Sequence, residues 1–302
     1  MPGPYPPRVW ALGGTPNKTV DIPVTAVCLA LYVCGAATHM TIFQLNRRRG
    51  YKFLFNAVLF GFCMSRIVTC ILRLASITHP LNIRLAIAAQ IFTAAGVLLV
   101  YVINLFWTQR IVRSLHPHFG WHRVPSTIFK LLWPLIGLTL VIVIVSVVQS
   151  LYTLRPRTLT IDRSLQLYGT TFLAIVSFLP LPILALCFAI PRTERPDTFG
   201  TGRLRTKAAV LVTGASLVCL GASYRAGTMW RTPVPRSQPM PEYYHKAAFY
   251  MINFGVELLT VALYAVARVD LRFWIPDGAS GPGSYEKVES VELPDPEKAG
   301  DA

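Results

Sequence analysis

Seven long apolar blocks constrain this chain more than any other feature of its sequence. Each block is about as long as the ~20 residues of α-helix that are needed to cross the hydrocarbon core of a bilayer. Spanning strands are excluded, because the blocks are too long and do not alternate apolar with polar residues. We therefore predict an all-α integral membrane protein with seven transmembrane helices. The predicted spans are 24–45, 53–77, 85–107, 131–152, 168–190, 208–230 and 247–269.

The composition excludes a soluble globular domain. Of 302 residues, 53% are hydrophobic and only 14% are charged, whereas soluble domains carry about 25% charged residues. The six cysteines all fall inside predicted spans, so the sequence predicts no disulfide in an extracellular loop. We expect a multi-pass integral protein, with the plasma membrane as its location.

The distribution of Lys and Arg predicts the orientation. Segments on one side of the predicted membrane hold fifteen Lys and Arg residues, and segments on the other side hold nine. The richer side is expected in the cytoplasm, which places the N-terminus outside and the C-terminus inside. On the predicted outside, Asn17-Lys18-Thr19 is an N-glycosylation sequon, so Asn17 is a candidate for modification.

Composition also divides the chain into three regions. Residues 1–22 form an extracellular tail rich in Pro and Gly, residues 23–275 form the transmembrane bundle, and residues 276–302 form an acidic cytoplasmic tail predicted to be disordered. The acidic tail has a net charge of −5 within a total of +15. Membrane orientation and attraction to anionic lipid explain the basic remainder, so the lipid bilayer is the expected partner and no nucleic acid is.

One buried ion pair is predicted near the middle of the bundle. Arg66 and Glu257 lie inside the second and seventh spans, and each is about 15 Å below the predicted outer boundary at 1.5 Å per residue. Glu257 shares a helical stripe with Asn253, which should face the interior. We predict that Arg66 and Glu257 pair there, with Asn253 beside them.

Two further arginines are candidates for an anion site. Arg73 and Arg225 lie close below the predicted outer boundary, and Glu257 is the only carboxylate within the predicted spans to pair with three arginines. Two uncompensated guanidinium groups would hold a carboxylate, phosphate or sulfate. Gln90 and Gln149 could add donors at the same level. The alternative is that both arginines extend to the membrane surface as ordinary helix ends.

Several blocks are similar to a known family. GAATHMTIFQLNRRRG, LFGFCMSRI, NIRLAIAAQIF, HPHFGWH, CLGASYRAGT and VARVDLRFW resemble a family of fungal seven-span membrane proteins of unknown function, which carries the label "family C-like G-protein-coupled receptor". The resemblance covers residues 1–285. It implies a seven-helix membrane protein with receptor character.

The sequence favours a receptor-like protein that senses an anionic small molecule or lipid from outside and acts on a cytoplasmic signalling partner. The alternatives are a membrane carrier or lipid-handling protein, and a scaffold without a ligand. We expect no enzyme, because the spans contain only one histidine, His39, and one carboxylate, Glu257, too few for a membrane zinc hydrolase. We expect no metal site and no cofactor.

Overall fold

The part of the chain that the structure describes contains seven helices that are long and apolar enough to cross a membrane. The structure, a computed structural model, describes residues 3–191 and 195–285. We label these helices α1 to α7 in chain order. Their bounds are Lys18–Arg48, Leu54–Thr78, Ile83–Leu115, Arg123–Tyr152, Pro156–Ala189, Leu204–Trp230 and Lys246–Val266. The prediction of a seven-helix, all-α multi-pass membrane protein is thus confirmed.

Successive helices run in opposite directions and define two ends of the bundle. We call the end where α1 begins the N-side and the end where α1 finishes the C-side. Short helices lie at both ends: Pro117–Trp121 and Val269–Arg272 on the C-side, and the 3₁₀ helix Glu242–Tyr244 on the N-side. Charged and aromatic side chains from α1, α2, α6 and α7 meet on the N-side half of this arrangement, where the candidate site is found.

Three of the seven helices are interrupted. The third consists of Ile83–Ala95 and Leu98–Leu115, and the fifth consists of Pro156–Phe178 and Pro180–Ala189. The break in α5 follows from Pro180, which has no N–H to continue the helical hydrogen bonds. In α7, residues Tyr250–Gly255 form a π-helix. Such segments are rare and occur frequently at functional sites.

The first helix begins earlier than predicted. Asn17 caps α1, because its Oδ1 accepts a hydrogen bond from the amide of Val20 at 3.0 Å. Its own amide donates to Asp21 Oδ2 at 2.8 Å. Residues 18–22 are therefore helical, so α1 begins within the segment predicted as an N-terminal tail, and the membrane boundary at residue 22 stays a prediction.

The segment before α1 lies across the N-side of the bundle. The amide of Tyr5 donates to the carbonyl of Leu151 at 2.8 Å, and that of Trp10 donates to Val234 at 2.9 Å. The Trp10 indole N–H also donates to the carbonyl of Gln238 at 2.9 Å. These bonds connect the N-terminal segment with the end of α4 and with the loop between α6 and α7.

The predicted disordered tail is wrong in its first part. Tyr285 is 1% exposed and packs against Trp121 and Phe199, with ring centroids 5.6 Å away in each case. The amide of Gly283 donates to Asp197 Oδ2 at 2.8 Å. Residues 276–285 thus fold against the C-side because buried aromatic contacts hold them there, and residues 286–302 lie outside the described residues.

Candidate functional site

The predicted ion pair between α2 and α7 is present. Arg66 Nε donates to Glu257 Oε2 at 2.6 Å, and Arg66 Nη2 donates to Oε1 at 2.8 Å. The side chains are 1% and 2% exposed. This two-bond geometry is the strongest arrangement open to an arginine and a carboxylate, and it explains how two buried charges are tolerated.

The third nitrogen of Arg66 binds the broken helix α3. Its Nη1 donates to the carbonyls of Phe92 and Thr93 at 3.1 and 2.8 Å. These carbonyls belong to the last turn before the break, where the carbonyl of Phe92 also accepts from the amide of Gly96 at 3.3 Å. A Cβ atom at Gly96 would lie 3.4 Å from Arg66 Cζ and 2.3 Å from Ser65 Oγ, so glycine allows the close approach. Arg66 therefore joins α2, α3 and α7.

Arg225 shares the same carboxylate, which corrects the prediction that it is uncompensated. Its Nη2 donates to Glu257 Oε1 at 2.8 Å, and its Nε donates to Asn253 Oδ1 at 2.6 Å. Arg225 is 15% exposed, more than either partner of the first pair. Asn253 lies in the same cluster as Glu257, as predicted, whereas the orientation of Arg225 toward both residues was not predicted.

Arg73 is compensated too, by a carboxylate that the sequence analysis missed. Its Nη2 lies 3.2 Å from Asp21 Oδ1, and Lys246 Nζ contacts Oδ2 of the same carboxylate. Tyr250 donates its hydroxyl to Asp21 Oδ1 at 2.8 Å and accepts from Arg73 Nε at 3.2 Å. Asp21 is fully buried. The available signal was the cap pattern at Asn17, which starts α1 before its apolar block.

Two clusters of charge therefore lie in the N-side half of the bundle. We call them the deep cluster and the N-side cluster. The deep cluster consists of Arg66, Arg225, Glu257 and Asn253. The N-side cluster consists of Asp21, Arg73, Lys246 and Tyr250. Together they hold four cations and two carboxylates, so the described side chains of the two clusters leave an excess of two positive charges.

The π-helix of α7 connects the two clusters. It begins at Tyr250 and includes Asn253, and Glu257 follows it by two residues. A Cβ atom at Gly221 would lie 3.1 Å from the carbonyl of Ile252, so the α6 backbone lies close to the π-helix. Tyr32 of α1 donates to the carbonyl of Phe254 at 3.2 Å. The irregular backbone of α7 is thus held by polar contacts from neighbouring helices.

The C-side end of α7 is anchored by a separate polar group. Arg268 adopts a left-handed conformation with φ of 46° and donates twice to the buried carboxylate of Asp270, at 3.1 and 3.0 Å. Asn46 of α1 donates to the same carboxylate at 2.9 Å and accepts from Tyr51 at 2.8 Å. Movement of the C-side half of α7 would therefore change contacts at the C-side end of α1.

Gln90 and Gln149 do not join either cluster. Both residues are exposed, on the outer surfaces of α3 and α4, so the prediction that they add donors to the anion site is wrong. Equal depth along a helix does not fix the direction in which a side chain points. Asn17 is exposed as well, and its role as a glycosylation site stays a prediction.

Two cavities lie near this region. One, of about 680 Å³, is an open depression on the N-side that is lined by residues 78–84 and Pro4. The other, of about 60 Å³, lies beside Arg225 and is lined by side chains of α3, α4, α5 and α6. The smaller cavity is the one that touches the charge clusters.

The described residues contain no group of three or more His, Cys, Asp or Glu side chains that could hold a metal ion. In the loop after α3, His116 Nε2 lies 2.9 Å from the carbonyl of Cys187 and so is engaged in a structural contact.

Two family descriptions match the chain. Residues 23–214 match "Domain of unknown function (DUF7702)", and residues 200–274 match "Protein of unknown function (DUF3112)". Together the two matches extend over all seven helices. The chain has no match among the curated proteins and none among the solved structures.

Proposed function

Because the chain belongs to the DUF7702 family, whose description states no function, we propose from its own residues that it is a receptor-like membrane protein. It senses an anionic small molecule or lipid from outside. The observation that carries the proposal is the excess of positive charge in the two clusters, where four cations share two carboxylates. Arginine groups with incomplete compensation favour a carboxylate, phosphate or sulfate ligand.

The orientation and location are part of the proposal. The excess of Lys and Arg on the C-side supports a cytoplasmic C-side and an extracellular N-side. The proposed location is the plasma membrane. The similarity to fungal seven-span proteins labelled as family C-like receptors is consistent with this assignment. The basic loops on the C-side are the surface for a cytoplasmic signalling partner.

The π-helix supplies the moving element of the proposed mechanism. An anion near Arg225 would compete with Glu257 and Asn253 for the guanidinium group. Because Asn253 lies on the π-helix, loss of its hydrogen bond favours a different backbone arrangement in α7. A ligand shifts such an equilibrium only by its difference in affinity for the two states, and the shared carboxylate provides that difference.

A carrier requires a polar route from one side of the membrane to the other. The cavity on the N-side is lined by the loop between α2 and α3, and the cavity beside Arg225 is lined mainly by apolar residues. Neither of these two cavities includes Arg66 or Glu257 in its lining. The carrier or lipid-handling protein stays the alternative to the receptor.

Thermal unfolding of the purified full chain against organic acids, inorganic phosphate and anionic lipids tests the proposal. We compare the native chain with Arg73→Gln and Arg225→Gln, and use Arg84→Gln as the control, because Arg84 is an exposed N-side arginine outside both clusters. An anion that raises the melting temperature of the native and Arg84→Gln chains, but not of the cluster variants, supports the proposal. Equal shifts in all four chains, or none, contradict it.

A further inference from the structure

The small cavity beside Arg225 has an unusual combination of walls. Val97 and Tyr101 of α3, Leu140 and Val143 of α4, and Leu173 of α5 supply mainly apolar surface, and Arg225 supplies a cation. Val97 lies at the break of α3, between Ile83–Ala95 and Leu98–Leu115. The cavity is therefore an apolar space with one positively charged wall.

One nitrogen of Arg225 is available to a ligand. Nε and Nη2 are engaged by Asn253 and Glu257. Within residues 3–191 and 195–285, Nη1 has no hydrogen-bond acceptor. A guanidinium group presents five N–H donors; these two bonds use two of them, so three remain, two of which are on Nη1. Because the clusters carry an excess of two positive charges, a negatively charged acceptor is favoured there.

The volume limits the size of the charged group. An apolar protein cavity of about 150 Å³ accommodates benzene, with its six carbon atoms. By that scale, the ~60 Å³ beside Arg225 accommodates about two to three heavy atoms, close to the three of a carboxylate group. Phosphate and sulfate groups have five heavy atoms each and exceed this volume.

The position of the cavity indicates how such a ligand reaches it. Leu140 and Leu173 lie near the middle of α4 and α5 and are partly exposed. Their neighbour Leu138 is 57% exposed. At this depth the exposed surface of a spanning helix contacts acyl chains and not water. An aliphatic chain lying in the bilayer is thus beside the cavity, with apolar side chains along its path.

We propose that the cavity beside Arg225 binds the carboxylate group of an aliphatic monocarboxylate, whose chain lies in the bilayer against α4 and α5. This inference rests on the proposed function and specifies the class of its anionic ligand. Arg225 Nη1 donates to the carboxylate, and the apolar walls contact the first methylene groups. Entry of the carboxylate gives Arg225 a second anionic partner beside Glu257.

The test uses the full chain in nanodiscs of a zwitterionic phosphatidylcholine. Decanoate is compared with decanol, which has the same chain without charge, and with decyl phosphate, which has a larger anionic group. We expect decanoate to raise the melting temperature by several degrees at saturation, because a ligand that binds only the folded state stabilises it. The two other compounds should produce less than half of that shift.

Three variants locate the effect. Leu140→Phe fills the cavity and leaves Arg225 in place, Arg225→Gln removes the charge, and Leu138→Phe adds the same aromatic ring on the lipid-facing surface as the matched control. The decanoate shift should persist in Leu138→Phe and disappear in the other two. A decanoate bearing a photoreactive diazirine should label peptides of α4 and α5 in the native chain and not in Leu140→Phe.

An equal shift with decanol, a decanoate shift that persists in Leu140→Phe, or labelling confined to other helices would overturn the inference. These results are distinguishable from failure of the proposed function. If a water-soluble anion stabilises the chain through Arg73 and Arg225 while decanoate does not, the receptor proposal stands and the cavity assignment fails. If decanoate binds as described but leaves hydrogen exchange of α7 unchanged, the cavity assignment stands and the sensing role fails.

Discussion

Arg66 and Glu257 form a buried ion pair with two hydrogen bonds, of 2.6 and 2.8 Å, between α2 and α7. The pair organises more of the bundle than its two helices, because Arg66 also binds carbonyls of α3 and Glu257 also accepts from Arg225 of α6. Tyr32 of α1 also donates to Glu257 Oε2 at 3.4 Å, so one carboxylate supports contacts among five helices. Its removal is the most informative single change in the deep cluster.

Glu257→Gln should lower the free energy of unfolding by about 3–5 kcal/mol, because it leaves buried arginine charge without its counter-ion. Arg225→Gln should cost less, since Arg66 and Glu257 keep both of their hydrogen bonds. Thermal unfolding followed by tryptophan fluorescence in detergent measures both effects. Val266→Ala on α7, where Val266 is 84% exposed, is the control. A melting temperature for Glu257→Gln equal to that of the control would show that the pair contributes no stability.

The N-side cluster makes a separate prediction. Asp21→Asn preserves the size of the side chain but removes the negative charge that Arg73 and Lys246 share. We expect a loss of about 1–3 kcal/mol, the cost of leaving charged hydrogen-bonding groups without a proper partner. Asp277→Asn, at an exposed carboxylate on the C-side, is the matched control and should be neutral within about 0.5 kcal/mol. Equal stability of the two variants would contradict the account of this cluster.

The packing of α6 against α7 is tested by two glycines of one helix. A Cβ atom at Gly214 would lie 2.2–2.6 Å from the ring and hydroxyl of Tyr264, which is fully buried and bonded to Asn104. Gly214→Ala should therefore destabilise the protein by about 1–3 kcal/mol through overpacking. A Cβ atom at Gly227 would meet nothing within 4 Å, so Gly227→Ala should be neutral or stabilise by up to about 1 kcal/mol. The opposite order of melting temperatures would refute this packing.

The contact of Tyr285 with the C-side predicts that segment 276–285 is released at alkaline pH. Burial raises the pKa of Tyr285, and the nearby Arg113 and Arg110 oppose that rise. The neutral hydroxyl is thus favoured in the docked segment. The stability that neutral Tyr285 gives to the docked segment is fully present below the ordinary tyrosine pKa of about 10. This stability is lost as the pH rises through the raised pKa of Tyr285.

Limited proteolysis with subtilisin between pH 8 and 11 measures this release. The native segment 276–285 should become more susceptible to cleavage above about pH 10. Tyr285→Phe keeps the ring against Trp121 and Phe199 but has no proton to lose. If the two chains show the same increase in cleavage, ionisation of Tyr285 is not the cause.

Much of the bundle could be predicted because its helices follow directly from apolar length. The pairing of Arg66 with Glu257 could be predicted too, since depth in the membrane places both at one level and an isolated charge there is costly. The partner of Arg73 was missed because Asp21 precedes the apolar block at residue 24. Only the cap at Asn17 shows that α1 begins before that block.

Other features of the site depend on how the helices are rotated. Arg225 points to Asn253 and Glu257, whereas Gln90 and Gln149 point outward, and position along a helix does not distinguish these cases. The π-helix of α7 contacts α1 and α6 around residues 250–255 and has no simple sequence pattern. The docking of Tyr285 likewise depends on a pocket formed by distant residues, while its own surroundings in sequence are polar.

The most direct test of the central claim is hydrogen exchange of residues 249–257, measured by mass spectrometry on the full chain with and without the anion that gives the largest thermal stabilisation. We expect the anion to change the exchange of these amides in the native chain and not in Arg225→Gln, because the ligand acts through the contact of Arg225 with Asn253 and Glu257. Unchanged exchange in the native chain at saturating anion, or an equal change in Arg225→Gln, would contradict the claim that the charge clusters sense an anion through α7.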